Sequence, residues 1–438
     1  MRMVGVRNSS DPGPSYSTLE SMSSPEASRP APNLWRHPPF LHYFASRALA
    51  EFSYQIAAVA VGWQIYTLTH SALDLGLAGL VQFLPSALLM FPAGHAADRY
   101  ARNRVVQVCS TLEALAAAYL AWASYSGHAS VGAIYTALAA LGVANAFDSP
   151  ASAALLPAVT SEEQLQQGTA LSTGAWQFAS ITGPAAGGLL YAISPVAPYL
   201  AMFLLSASSA VLIGTMRMRI VERVKEPPTL STLFAGVLFV RDNPAILGTI
   251  SLDLFAVLLG GATALLPIYA SDILHTGAWG LGVLRGVPSI GALVMTAFLA
   301  RHAIRSRAGI KMFLAVIVFG LATVVLGISH VLWISVLALA VMGAADTVSV
   351  VVRSSLVQLA TPDAMRGRVS AVNYLFINAS NQLGAFESGA TAALLGAVPA
   401  VVLGGIGTVA VALFWMKLFP TLRRVERLDG ALETEAAA

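Results

Sequence analysis

A run of twenty apolar residues can fold in few ways: it is buried on every side in a core, or it crosses a bilayer as a helix. This chain carries twelve such runs, at roughly 41–68, 72–96, 104–126, 130–152, 169–193, 197–216, 244–270, 278–300, 309–328, 331–353, 370–394 and 398–419. About 20 residues suffice for a helix to span the hydrocarbon layer. Helices are the economical choice, because each unpaired backbone group in lipid costs several kcal/mol. Only 11% of the residues are charged and 56% are hydrophobic, whereas soluble domains are about 25% charged. The predicted fold class is therefore an all-α integral membrane protein with twelve transmembrane helices.

The cations orient these helices. The linkers "LTHSALDL", "YSGHAS", "ISPVAPY", "ASDILHTGAWG", "GISHVLW" and "LGAVPA" contain no Lys or Arg. The alternate linkers hold Arg99, Arg102 and Arg104; then Arg217, Arg219, Arg223, Lys225 and Arg241; then Arg301, Arg305, Arg307 and Lys311; then Arg366 and Arg368; and finally Arg423, Arg424 and Arg427. Positive charge marks the cytoplasmic side, so both termini are expected in the cytoplasm and the chain in the plasma (inner) membrane. Residues 1–35, rich in Ser and Pro, read as a disordered cytoplasmic tail without a signal-type apolar core. Residues 421–438 read as a second polar cytoplasmic tail. The basic clusters are short and dispersed, with no aromatic-basic platform, so nucleic acid is not an expected partner.

The single cysteine, Cys109, excludes an intramolecular disulfide and a cysteine-based metal cluster. No zinc-ligand spacing and no phosphate-cradling Gly-Lys loop occurs. No metal, cofactor or enzymatic activity is expected, and an ion gradient would have to supply any energy.

The longest linker, 217–243, divides the runs six and six, into an N-terminal bundle at 36–216 and a C-terminal bundle at 244–420. Placing Gly142 on Gly343 lays "GVANAFDSPASAALLPAVTSEEQ" over "GAADTVSVVVRSSLVQLATPDAM" without gaps, with Leu155 on Leu356 and Thr160 on Thr361. Two repeats joined by a charged loop are the architecture of carriers that rock about a midplane site.

Two motifs carry a resemblance. "GHAADRYARNR" resembles the signature between the second and third helices of the major facilitator superfamily, with Gly94, Asp98, Arg99, Arg102 and Arg104 filling its pattern and Ala101 where Gly is frequent. "SITGPAAGGLL" resembles the tail of the superfamily's antiporter motif through Gly183, Pro184, Gly187 and Gly188, with Ala170 and Ala179 at the upstream glycine positions. "SPASAALLPAVTSEEQLQQGTAL" and "TPDAMRGRVSA" are similar to a branch that includes enterobactin exporters and macrolide efflux pumps. The resemblance implies that the first motif is a conformational latch between the two halves. Physically, Asp98 stands where an anion meets Arg102, Arg104 and a positive helix N-terminus, and Gly94 permits close helix approach. The plain alternative is a solvated turn whose ion pair contributes under about 1 kcal/mol. The glycines of the second motif thin one helix face, as small residues do at membrane helix contacts.

Charges inside the spans cost at least about 2.5–3.5 kcal/mol each, so each one present needs a reason. Glu51, Asp253 and Glu387 are candidates for proton coupling, since a carboxyl in an apolar site holds its proton to higher pH. Each has a structural alternative in a permanent salt bridge to Arg47, Arg285 or Arg353. Arg47 lies one turn before Glu51, a spacing that permits a pair on one face. Arg285 is the one cation away from a cytoplasmic end, either binding an anionic substrate group or pairing with a carboxylate. Asp346 lies two turns above Arg353. Glu113, in the third span, reads as a packing or pairing residue. Trp63, Tyr66, Trp176, Phe178, Tyr374 and Phe376 are aromatics available to wall an apolar cavity.

The expected function is secondary active transport: proton-coupled export of a small, partly apolar molecule (siderophore, drug or metabolite) by alternating access. The alternative is a nutrient importer or facilitator of the same fold. The expected partners are membrane lipid, protons and a small-molecule substrate, with the chain acting as a monomer.

Overall fold

The computed structural model describes residues 34–216, 230–304 and 306–425, and every regular element among them is helical. The tails at 1–33 and 426–438 and the linker segment 217–229, with Arg217, Arg219, Arg223, Lys225 and Arg427, lie outside the described residues, as does Arg305. The first group of helices is α1 (Pro38–Thr69), α2 (Ala72–Leu88), α3 (Met90–Arg99), α4 (Arg102–Tyr125), α5 (Val131–Val159), α6 (Glu162–Ile193) and α7 (Ala197–Thr215). The second is α8 (Leu230–Asp242), α9 (Pro244–Leu259), α10 (Leu266–Ile268), α11 (Gly277–Arg301), α12 (Ala308–Ile328), α13 (Leu332–Leu359), α14 (Asp363–Leu395), α15 (Ala397–Leu418) and α16 (Pro420–Arg423).

Local chemistry sets several boundaries. Ser71 accepts from the Asp74 amide at 3.2 Å, Ser130 from Ala133 at 3.2 Å and Asn243 from Ile246 at 3.3 Å, each satisfying an amide that the helix start leaves unpaired. Pro38 and Pro244 occupy first helical positions, where a missing N–H costs nothing.

Eight stretches are long and apolar enough to cross a bilayer: α4, α5, α7, Pro244–Ile273, α11, α12, α13 and α15. The other expected spans fall on α1, α2, α6 and α14. Of these, α1, α6 and α14 have 32, 32 and 33 residues, and 32 residues reach about 48 Å. They miss on composition rather than length, because polar side chains interrupt their apolar faces.

Two expected spans are broken. The run 72–96 divides at Leu89 into α2 and α3, because Pro92 has no N–H for the Leu88 carbonyl and its ring crowds that carbonyl. The run 244–270 ends its regular helix at Leu259, then continues as a 3-10 turn at Ala262–Leu265, α10 and a π turn at Tyr269–Ile273. The break falls at Gly260-Gly261, where a Cβ on Gly261 would stand 2.5 Å from the Gly384 carbonyl oxygen of α14.

Within the first group, α1 packs on α5, α6 and α7, α2 on α5, and α4 on α5 and α7. Within the second, α9 packs on α14 and α15, α12 on α13 and α15, and α11 on α13. Buried hydroxyls join α1 to α7: Ser46 and Ser209, then Ser53 and Ser206, share hydrogen bonds of 2.8 Å. Small polar contacts of this kind hold helices together where apolar packing gains nothing over lipid.

The groups meet along two seams, α6 on α11 and α2 on α14. Both seams are tightest near the end of the molecule whose linkers lack Arg and Lys, hereafter the arginine-poor end. A Cβ on Gly76 would lie 3.1 Å from the Gly389 Cα and from the Ala385 oxygen, and one on Gly188 would run into the Ala278 carbonyl. The hydroxyl of Tyr66 on α1 donates to the Asp272 carboxylate of the π turn, a further bond across the groups at the same end.

Candidate transport site

Two cavities lie between these helices. The larger, about 330 Å³, sits between the two groups and is lined by α1, α2, α5, α6, the 3-10 turn, α10, α11 and α14. Its wall is mostly aliphatic, with the amides Gln55, Gln82, Asn381 and Gln382 and one aromatic ring, Tyr54. Of the six aromatics expected to line a cavity, none reaches this one, and Trp176 lines the smaller. They were sought by chemical type, whereas helix rotation decides which residues face inward. Arg285 is the only charged residue on this wall, among the described residues. It makes no hydrogen bond or ion pair to them, and its Nε is buried without a partner.

The smaller cavity, about 250 Å³, lies between α1 and α6 and is lined by Tyr43, Arg47, Glu51, Ser172 and Trp176 among others. Here the i,i+4 pair expected of Arg47 and Glu51 is replaced by a longer-range one. Arg47 donates to Asp148 of α5 at 2.8 Å and to Ser152 at 3.3 Å. Glu51 instead accepts from the Gln55 amide at 2.9 Å and makes no ion pair among the described residues. Glu113, on α4, lies within electrostatic reach of Arg47, Asp148 and Glu51. One guanidinium thus pairs with Asp148 and has two further carboxylates within electrostatic range. The sequence reading passed over Asp148. Its signal was an acid inside a span that carried no other charge, and it lay hidden near that span's end.

The second group has its own pair. Asp253 on α9 binds Arg353 on α13, and with 7% and 5% exposure they are the only charged residues in the fully buried class among those described. Of the salt bridges that the sequence offered Asp253, to Arg47, Arg285 or Arg353, the fold makes the last. Asp346, two turns from Arg353, is half-buried and makes no hydrogen bond or ion pair among the described residues. Glu387, half-buried on α14, accepts from Thr391 at 2.9 Å.

The motif residues lie as follows. Gly94 and Arg99 are on α3, Arg99 exposed at its last turn. The side chain of Asp98 lies outside the described residues. Arg102 donates to the Ala154 carbonyl of α5 at 3.1 Å, and Arg104 to Gln107 at 2.7 Å; both bonds stay within the first group. On α6, Gly183 and Gly187 face α1, where added Cβ atoms would stand 2.6 Å from the Gln55 Cβ and 3.0 Å from the Ile56 oxygen. Gly188 and Pro184 face α11 across the seam, the Pro184 oxygen lying 2.6 Å from where a Gly282 Cβ would be. The four residues therefore place the helix against both groups at once. Among the described residues, no three His, Cys, Asp or Glu side chains gather to hold a metal.

This arrangement of helices recurs in known proteins. Residues 43–385 match the family model described as Major Facilitator Superfamily. The enterobactin exporter EntS of Citrobacter koseri is 28% identical over 403 residues, covering 89% of this chain and 93% of that protein. EntS of Shigella boydii is 26% identical over 399 residues, with the same coverage. Among solved structures, a bacterial homologue of the human lysosomal transporter Spinster, inward-facing and unoccupied, aligns with a TM-score of 0.68 at 12% identity, covering 88% of this chain and 95% of that one. An inward-facing bacterial homologue of the iron transporter ferroportin aligns with a TM-score of 0.67 at 16% identity, covering 88% and 98%.

Proposed function

The chain belongs to the Major Facilitator Superfamily, a multi-pass membrane transporter, and on that premise we propose that it exports a small, partly apolar molecule in exchange for protons by alternating access. The observation that carries this reading is Glu51. It lines a cavity beside Arg47 yet is left out of the ion pair that Arg47 makes with Asp148. A carboxyl held by an amide rather than locked to a guanidinium can take up and release a proton without breaking a buried salt bridge. Asp253, bound to Arg353, is the weaker carrier on the same argument, and Glu387 remains a secondary one.

In this reading α1, α2 with α3, α6 and α14 also cross the membrane, giving twelve spans in bundles at 36–216 and 244–420, with the arginine-rich end and both termini in the cytoplasm of a bacterial inner membrane. The polar residues that lower the hydropathy of α1, α6 and α14 belong to helices that line the central cavity. Closed seams at the arginine-poor end then correspond to an inward-facing carrier. Export is favoured over uptake by the relatives named as enterobactin exporters and by the antiporter-like face Gly183, Pro184, Gly187 and Gly188. The turn from Gly94 to Arg104, with Asp98, Arg99 and Arg102, acts as a latch that engages when the cytoplasmic ends close.

Acidified inside-out vesicles test this. Siderophores, macrolides and hydrophobic cations are added in turn, and loss of the pH gradient is followed. At least one class is expected to dissipate the gradient with wild type and not with Glu51→Gln. Entry of a labelled nutrient that depends on the protein, with no compound moving protons, would overturn the export reading in favour of an importer or facilitator.

A further inference from the structure

Resting on the transport reading above, the central cavity also specifies a charge for its cargo: we infer that it binds molecules carrying an anionic group, and that the Arg285 guanidinium is the anchor. Among the described residues, the two other cations singled out within the spans as candidates for pairing each have a built-in counter-ion. Arg47 has Asp148 at 2.8 Å, and Arg353 has Asp253. Arg285 has none. Its Nε is buried without a hydrogen-bond partner, the residue makes no ion pair, and no carboxylate lines the cavity it borders, among the described residues. The titratable group with an electrostatic influence on it is the hydroxyl of Tyr54, on the same wall.

The placement excludes a surface role. The guanidinium lies against α1, where a Cβ built on Gly62 would stand 3.7 Å from Nη2. It shares the wall with Pro288 of its own helix and with Gln382 of α14. A buried, unpaired guanidinium is costly unless something supplies the opposite charge, and a carboxylate or phenolate matches its fork of donors. Cargo is the one component of the cycle that enters and leaves this space. The amides of Gln82, Asn381 and Gln382 are placed to bind neutral polar groups, and the aliphatic remainder suits an apolar body. A cation would meet Arg285 with no carboxylate to offset the repulsion.

The full chain is purified in detergent, and its unfolding temperature is followed by intrinsic fluorescence while three probes of matched size are titrated: 1-naphthoate, 1-naphthamide and 1-naphthylmethylamine. Ligands of the folded state raise that temperature according to their affinity. Wild type is expected to be stabilised by the naphthoate, less by the amide and not by the amine. Arg285→Gln is expected to lose roughly 10- to 100-fold in affinity for the naphthoate, and Arg285→Lys to retain an intermediate preference. Without probe, Arg285→Gln should unfold at the same temperature as wild type or higher, because it removes an unpaired buried charge. Equal stabilisation by all three probes, none by the naphthoate, or unchanged naphthoate affinity in Arg285→Gln would each overturn the proposal. So would a large fall in the unfolding temperature of unliganded Arg285→Gln, which would mark Arg285 as a structural partner. Proton exchange stays out of this assay. Anion binding through Arg285 with no compound-driven proton movement in vesicles removes the antiport reading alone, and the reverse result removes the anion site alone.

Discussion

At the scale of single residues, the two ion pairs divide the charged side chains by job. Each ties the first long helix of its group to a helix about a hundred residues later: Arg47 of α1 to Asp148 of α5, and Asp253 of α9 to Arg353 of α13, with the signs exchanged. Removing one member of a buried pair leaves the other uncompensated, at a cost of about 3–5 kcal/mol, whereas replacing both with apolar residues is often neutral or stabilising. Asp253→Asn should therefore lower the unfolding temperature in detergent sharply, and Asp253→Leu combined with Arg353→Met should restore it. An unfolding temperature of Asp253→Asn equal to wild type would instead make Asp253 a titrating carrier. The candidates Glu51, Asp253, Arg285 and Arg353 were legible because charge is rare inside apolar runs. Arg353 stood among the partners offered to Asp253, but the partner of Arg47 was not legible. An i,i+4 spacing proposed Arg47 with Glu51, but a guanidinium takes the carboxylate that helix crossing brings nearest, and crossings between residues 101 positions apart leave no mark on local spacing.

At the scale of elements, α6 is the helix on which most depends. It presents Gly183 and Gly187 to α1 and Gly188 to α11, so one helix touches the cavity, its own group and the opposite one. Gly188→Leu would drive a side chain into the Ala278 carbonyl and the Gly282 Cα. Overpacking of this kind costs about 1–3 kcal/mol, enough to move a two-state balance about 5- to 150-fold. The variant should be driven away from the closed seam. An Ala278→Cys substitution, at a position buried in the closed seam against Gly188, is then expected to react with a membrane-impermeant maleimide faster than in the otherwise wild-type chain. An unchanged rate would show that this seam does not open. The glycine face expected on one side of the helix divides between α1 and α11, whereas helix existence was readable from residue type alone. The breaks at Leu89 and at Gly260-Gly261 were not, because apolar content continues unbroken through both. Only the Pro92 backbone and the close approach of α14 interrupt them.

At the scale of the whole molecule, the seams close the arginine-poor end, while at the other end Arg102 and Arg104 bond within their own group. A carrier of this kind works by exchanging which end is sealed, and its coupling depends on one group that must be protonated in one state and empty in the other. The helices were legible as apolar runs, because burying them in lipid constrains composition over long stretches. The cavity wall was less legible: its facing residues are set by helix rotation, and Tyr54 with the four amides stood out neither by charge nor by motif. The measurement that bears most directly on proton-coupled export is transport by wild type and Glu51→Gln in reconstituted liposomes, with a compound that moves protons in the vesicle assay. Wild type should concentrate it against its gradient when the lumen is acidic. Glu51→Gln should still exchange labelled for unlabelled compound but accumulate none. Accumulation by Glu51→Gln equal to wild type, or a wild-type rate indifferent to the pH gradient, would contradict the account.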